Sequence, residues 1–392
     1  MSTQTFQVRL KSPASEMAQE EIGKQAAFLS RGLFNLRFNA DGSEISFDAS
    51  AEEGPQLEKS VEDLGNRVAS ALRRLQRKIV FRSSLADQAS FQAVSMQGVH
   101  FLGAGQVALS GMPLALFSYF DRSFEAFGSP FKVTALRTPT LIPSPILSRC
   151  DYFRSFPHNV TFAARLREDP ALVAAFRARH QHLDSLDDQA IGDMEKPEAC
   201  LSPAVCYHVY HLHQNQTISA DGLAYGICGK CFRYESTNMK SLERLWDFTM
   251  REVVFLGGRD SVLNHRERSI GLMSDFLDQH RLAGEIRTAS DPFFVAADAV
   301  AKTYFQLSSD SKYEVSLMLP EGGRVAVGSH NYHSDFFGRA FETMVEGAGA
   351  MHSVCVAFGL ERWVYAFLLQ HGEDPRRWPD VMRKAPEFQP WA

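Results

Sequence analysis

The chain opens on strict alternation: from Phe6 to Leu10 every second position is apolar, the period of a half-buried strand. Over Ala14–Leu29 the apolar spacing widens to three and four, which predicts an amphipathic helix. A hairpin follows, its turn at Ala40-Asp41-Gly42, and then a second helix at about Leu57–Leu75 and a strand at Ile79–Arg82. The order β-α-β-β-α-β predicts that residues 1–85 form a small domain, an antiparallel sheet with both helices on one face. Beyond it, strands recur without regular βαβ alternation, so residues 86–392 predict one large α+β domain on an antiparallel sheet flanked by helices. Helical patterns at Met112–Ala126 and Asn159–His180 flank the proline-bearing stretch Thr138–Pro145, whose missing N–H donors suit an edge or interface strand. Residues 257–308 predict a largely helical insertion between two strand regions.

A hydrophobic fraction of 45% with 22% charged residues is that of an ordinary globular chain, which excludes a disordered one. The net charge of -5 offers no broad phosphate-binding surface and speaks against a nucleic-acid partner. With no secretory signal and no apolar run of roughly 18 residues, the expectation is a cytoplasmic protein without a membrane. The six cysteines are dispersed, and so read as packed thiols or metal ligands rather than a disulfide scaffold. Cys228-Gly229-Lys230-Cys231 has no second C-x-x-C to complete a zinc ribbon, so packed thiols are expected there. On a strand, Cys206 and His208 would share a face, which makes His208 a weaker candidate ligand. The basic run Arg73–Lys78 reads as a solvated helix end.

Two segments carry chemistry. Gly226–Glu235 and Leu245–Phe255 predict a pair of strands in which Arg233 and Glu235 share one face, and Phe248, Met250 and Glu252 share another. An arginine, two glutamates and a ring turned to one cleft suit a nucleotide with a charged substrate; surface cross-strand ion pairs are the other reading. Val354–Phe367 predicts a buried strand that runs through Gly359 into an amphipathic helix with Arg362 in its first turn. A guanidinium beside unpaired N-terminal amides makes an anion site.

The segments "FRYE", "LERLWDFTMREVVFLG" and "VCVAFGLERWVYAF" resemble motifs two and three of class II aminoacyl-tRNA synthetases, and "SYFDRSFEAFGSPFKVTALRTPTLIPSPIL" resembles motif one at their dimer interface. Within that class the chain is similar to zinc-containing seryl-tRNA synthetases and to the amino acid:[carrier protein] ligases. The resemblance implies a class II synthetase-like fold and a homodimer. It implies ATP and Mg²⁺, with Arg233 on the α-phosphate, Glu235 on the adenine amino group, Phe248 stacked on the adenine and Arg362 toward the γ-phosphate. It also implies Zn²⁺ held by Cys206, Glu252 and Cys355, the substrate amine taking the open position, with Ser329 and Asn331 as candidates for the pocket wall. A glutamate expected at Val325 or Ala326 is missing, which leaves the Mg²⁺ ligands unassigned. The expected substrate is a small amino acid, glycine or alanine or else serine, passed to the phosphopantetheine thiol of an acyl or peptidyl carrier protein rather than to tRNA. Arg259, Arg266 and Arg268 offer that carrier a basic surface, unless they form a solvated helix face. The alternatives are a tRNA-charging enzyme and a non-catalytic amino-acid-binding regulator.

Overall fold

The computed structural model describes residues 3–30, 32–182, 185–234, 239–291 and 299–391. Among them, eight strands form the main sheet, in the order Ile79–Arg82, Gly284–Thr288, Lys312–Met318, Arg324–Tyr332, His352–Gly359, Asp247–Gly257, Leu223–Phe232, Thr134–Leu136. Neighbours pair antiparallel except Thr134–Leu136, which lies parallel to its partner. The central strands are nearly continuous apolar runs because both of their faces are covered, one of them by helices. On that face the helix Gly111–Phe127 buries Leu116, Phe120 and Phe124 completely, and Phe124 stacks on Phe358 at 4.2 Å and tilts against Trp363 at 4.9 Å. Each such ring removed from water contributes about 1.5–3 kcal/mol, so this aromatic layer fixes the strand His352–Gly359 and the helix Leu360–His371 that follows it.

The N-terminal elements appear in the expected order, with a three-stranded antiparallel sheet of Thr3–Arg9, Glu44–Ser50 and Phe34–Phe38 under the helices Glu16–Ala26 and Gly54–Leu72. The turn residue Gly42 has φ +73°, a conformation that glycine adopts without steric cost. The strand Ile79–Arg82 departs from the expected pairing: it joins the edge of the large sheet beside Gly284–Thr288. Three residues of it are exposed, and its one useful neighbour is that open edge. Residues 257–308 hold the helices Arg259–Gln279 and Ala299–Ser308, and between them lies the buried strand Gly284–Thr288, a member of the main sheet that the expectation of a largely helical insertion did not include. Within 159–180 the helix starts only at Pro170, because Asp169 caps it and accepts from the Ala171 and Leu172 amides. The proline stretch does give an edge strand, Leu141–Pro143, on a separate small sheet. Among the described residues no helix is long and apolar enough to cross a membrane.

Candidate active site

Two adjoining cavities open beside the strands Asp247–Gly257, Lys312–Met318, Arg324–Tyr332 and His352–Gly359. Phe248, Glu314, Ala326, Glu361 and Arg362 line the first. Cys206, Glu252, Asp291, Asn331 and Cys355 line the second, of about 750 Å³. Arg233, Met250, Lys312, Ser329 and Ala357 line both. As expected from period two, Phe248, Met250 and Glu252 face the cavities from one strand.

In the second cavity one ligand atom each of Cys206, Glu252 and Cys355 lies within 4.8 Å of the others, and all three residues are buried. Strand register explains two of them: Cys355 stands opposite Val254, so Glu252 is its diagonal neighbour on the same face. The Cys355 thiol donates to Glu252 Oε2 at 3.1 Å. Cys206 lies not on a strand but at the first position of the helix Cys206–Leu212, which no side chain caps. Its amide donates instead to Glu252 Oε2 at 3.1 Å, so the carboxylate satisfies an otherwise unpaired helix N–H. His208 is turned away from this group by the helix; burial lowers it to about 4.

Three buried acids crowd one wall of the second cavity. Burial raises the Glu252 carboxyl above its ordinary range, against the opposing hydrogen bonds from Cys355 and Cys206. The hydrogen bond with Cys206, burial and the nearby carboxylate hold the Cys355 thiol well above its usual range. For Cys206 the Cys355 contact favours the thiolate, but burial and Glu252 outweigh it and raise the thiol. A divalent cation would reverse this balance and let all three ionise. Zinc bonds of about 2.0–2.3 Å place tetrahedral ligand atoms about 3.5–3.8 Å apart, a spacing that lies between the 3.1 Å thiol–carboxylate contact and the 4.8 Å limit of the trio.

The first cavity is walled by cations and an aromatic ring. The strand Leu223–Phe232 ends just before Arg233, whose guanidinium lies over Phe248 at 5.5 Å while its Nε donates to the Pro203 carbonyl at 2.8 Å. Glu235 lies outside the described residues. Gly359 caps the helix Leu360–His371 and so puts Arg362 in its first turn, as expected. Arg362 is held by the carbonyls of Glu243 at 2.7 Å and Ala326 at 3.0 Å. Asn331 donates to Ser329 Oγ at 3.0 Å, and its own buried Oδ1 has no hydrogen-bond partner among the described residues, which leaves it open to a donor from a ligand.

Sequence reasoning missed Glu361, Lys312 and Asp291. Both oxygens of Glu361 accept from the Thr249 amide at 2.9 Å, and the Thr249 hydroxyl adds a third bond of 2.9 Å. Burial raises this carboxyl above its ordinary range despite those donors. The signal available for Lys312 was its i, i+2 relation to Glu314, which puts both on one face of a strand. Other readings need correction. Arg266 is buried, donates to the Asp310 carbonyl at 2.7 Å and lies over Tyr313, so it offers a partner no charge. Arg268 covers Phe131, while Arg259 remains exposed. Cys231 is fully buried among apolar residues and Cys228 packs at the opposite face, both as free thiols. Arg77 is not a solvated helix end but donates to Glu20 at 2.7 Å and to the Thr288 carbonyl at 3.0 Å.

The tRNA synthetase class II core domain (G, H, P, S and T) matches residues 189–371. Amino acid–[acyl-carrier-protein] ligase 1 of Bradyrhizobium diazoefficiens is 32% identical over 262 residues, 65% of this chain and 77% of the relative. The type-2 serine–tRNA ligase of Methanothermobacter thermautotrophicus is 26% identical over 407 residues, 97% of this chain and 78% of the relative. Among solved structures, M. kandleri SerRS in complex with A. aeolicus tRNASec superposes with a TM-score of 0.66 at 19% identity, covering 99% of this chain and 78% of that one. The shared core, the sheet that carries it and the extent of these matches establish that the chain belongs to the class II aminoacyl-tRNA synthetase family, alongside the amino acid–[acyl-carrier-protein] ligases, and is a ligase.

Proposed function

We propose that the chain activates a small amino acid, glycine or alanine before serine, as its adenylate and passes the acyl group to the phosphopantetheine thiol of a carrier protein. The observation that carries this reading is the convergence of Cys206, Glu252 and Cys355 in a cavity that shares a wall with a second one lined by Arg233, Phe248 and Arg362. Cys206, Glu252 and Cys355 would hold zinc, which would offer its remaining position to the substrate amine in place of water. Arg233 and Arg362 bind the phosphates of Mg²⁺·ATP, with the adenine on Phe248, Glu235 beside its amino group, and Ser329 and Asn331 toward the amino acid. The amino-acid carboxylate then attacks the α-phosphorus in line, and pyrophosphate leaves. No covalent nucleophile is required, because alignment and charge neutralisation lower the barrier.

The relative named as a carrier-protein ligase supports the carrier as acceptor. The volume of about 750 Å³ also exceeds what glycine or alanine fills and leaves room for a thiol arm. Exposed Leu141, on the edge strand Leu141–Pro143 of the small sheet, is the apolar residue we assign to a homodimer contact. One observation favours a second reading, tRNA charging: the type-2 serine–tRNA ligase match extends over 97% of the chain and so includes the N-terminal unit, whereas the carrier-protein ligase match covers 65%. ATP/pyrophosphate exchange with each of the twenty amino acids tests activation. The preformed labelled adenylate is then offered holo-carrier protein or tRNA. Label on the carrier is the expected result; label on tRNA alone replaces the acceptor, and no exchange with any amino acid leaves a binding regulator.

A further inference from the structure

Bond formation in the proposed reaction must take place where the two cavities meet, and among the described residues two cations stand there, Arg233 and Lys312. Arg233 comes from the end of the strand Leu223–Phe232, and Lys312 from the first position of the strand Lys312–Met318, opposite Asn331. Lys312 is 8% exposed, an unusual position for a lysine unless it is paired. Its Nζ is 2.6 Å from Asp291 Oδ1 and 3.0 Å from Glu314 Oε1. Asp291 is fixed in turn by Gln306, which donates to Oδ2 at 2.7 Å and accepts from the Asp291 amide at 2.7 Å. The ammonium is therefore both aimed and kept charged, since the two carboxylates outweigh burial and raise its pKa.

Resting on the function proposed above, we infer that Lys312 is a catalytic residue of the activation step, its ammonium neutralising the carboxylate and the α-phosphate as they approach. Two anions must come within bonding distance at this point, and repulsion between them is the electrostatic part of the barrier. One carboxylate oxygen bonds to the α-phosphorus. The bond from that phosphorus to the oxygen bridging the β-phosphate breaks, and the electron pair leaves on pyrophosphate. No proton moves, so Lys312 acts as a fixed charge and not as an acid. Asp291 and Glu314 are positioning residues that hold it at the junction.

The test is Lys312→Met in the full chain, read by ATP/pyrophosphate exchange with the amino acid that serves the unaltered enzyme best, alongside zinc content and thermal melting. The expected result is a fall in kcat of about 100- to 1000-fold, the scale of losing one preorganised charge, with the KM for ATP changed less than about threefold. Lys312→Arg, which keeps the charge, is expected to recover at least tenfold of that loss, which a purely structural role would not predict. If Lys312→Met does not fold, the double variant Lys312→Met/Glu314→Gln keeps the net charge of the cluster and is judged by the same criteria. A folded, zinc-loaded Lys312→Met enzyme with kcat within about threefold of the unaltered chain overturns the inference and leaves the proposed function standing. Absence of exchange in the unaltered chain with every amino acid overturns both.

Discussion

Glu361 and Arg362 are neighbours in sequence with separate tasks: the arginine faces the first cavity from the helix start, while the glutamate ties that helix to the amide and hydroxyl of Thr249 on the adjoining strand. Truncation by Glu361→Ala leaves two buried donors unsatisfied, and the expected cost is about 1–3 kcal/mol in urea unfolding. Glu361→Gln should lose less, since its carbonyl can still accept. A cost below about 0.5 kcal/mol for the alanine variant would show the tie to be ornamental. At the proposed metal centre, Cys355→Ala should lower zinc from one ion per chain toward none by metal analysis, because two ligands from a Cys/Glu/Cys set bind far more weakly than three. Exchange activity should fall with it. His280 predicts a pH dependence. Tyr119 Oη lies 2.7 Å from its Nε2, and its Nδ1 lies 2.8 Å from the Phe276 carbonyl, which fixes the neutral ring with Nδ1–H as donor and Nε2 as acceptor. Burial lowers it from 6.5 to about 4. Its folded pKa is thus below its unfolded one, so its contribution is complete above pH 6.5 and is lost as pH falls toward 4, by up to about 3 kcal/mol. Stability measured by urea unfolding should drop less steeply over that window in His280→Gln than in the unaltered chain. His330, lowered to about 3 by burial, adds to the same slope in both proteins.

At the scale of elements, the strand Arg324–Tyr332 is bent by a bulge: Val315 pairs with Gly328 and Ser316 with Ala326, which leaves Val327 as the extra residue. The bend turns Ala326, Val327 and Gly328 toward the first cavity. A Cβ on Gly328 would meet the Ala357 carbonyl at 2.8 Å, a backbone atom that cannot give way, so Gly328→Ala should destabilise by about 1–3 kcal/mol and raise the KM for ATP. An unchanged melting temperature would mean that the two strands can separate freely there. This bulge also marks the limit of what the sequence discloses. Period two made the Phe248, Met250 and Glu252 face legible, and the glycine before an amphipathic run made the Arg362 position legible, because each pattern is local. A bulge depends on how two strands pair, and the sheet that an edge strand such as Ile79–Arg82 joins depends on a partner roughly 200 residues away. Cys206 and His208 would share a face only on a strand, and the segment is instead the helix Cys206–Leu212, whose Val209 and Tyr210 are buried in the core beside Cys206. The trio itself came from resemblance to a family, since nothing in local spacing links positions 206, 252 and 355.

The molecule as a whole is bound together across the helix Ala299–Ser308. One of its faces carries Val300 and Leu307 into the core of the N-terminal unit, where Leu307 is 6% exposed. The opposite face presents Ala301, Lys302, Phe305 and Gln306 to the second cavity, as helical periodicity allows. Charge reinforces the junction. Glu20 on the helix Glu16–Ala26 receives Arg77 at 2.7 Å and Arg287 at 3.1 Å, and Lys24 reaches the Ser290 carbonyl at 3.4 Å, one residue before Asp291. The N-terminal unit therefore supports the wall that holds Gln306, and through Gln306 the Asp291 that pairs with Lys312. Leu307→Ala tests this coupling without touching the cavity. Removing a buried leucine should cost about 2–5 kcal/mol, read as a lower midpoint in urea unfolding. Because the wall borders the second cavity and not the first, the KM for the amino acid should rise several-fold while the KM for ATP stays the same. A loss of stability with both constants unchanged would mean that the N-terminal unit merely rests on the helix, and that the wall keeps its shape from within the larger domain.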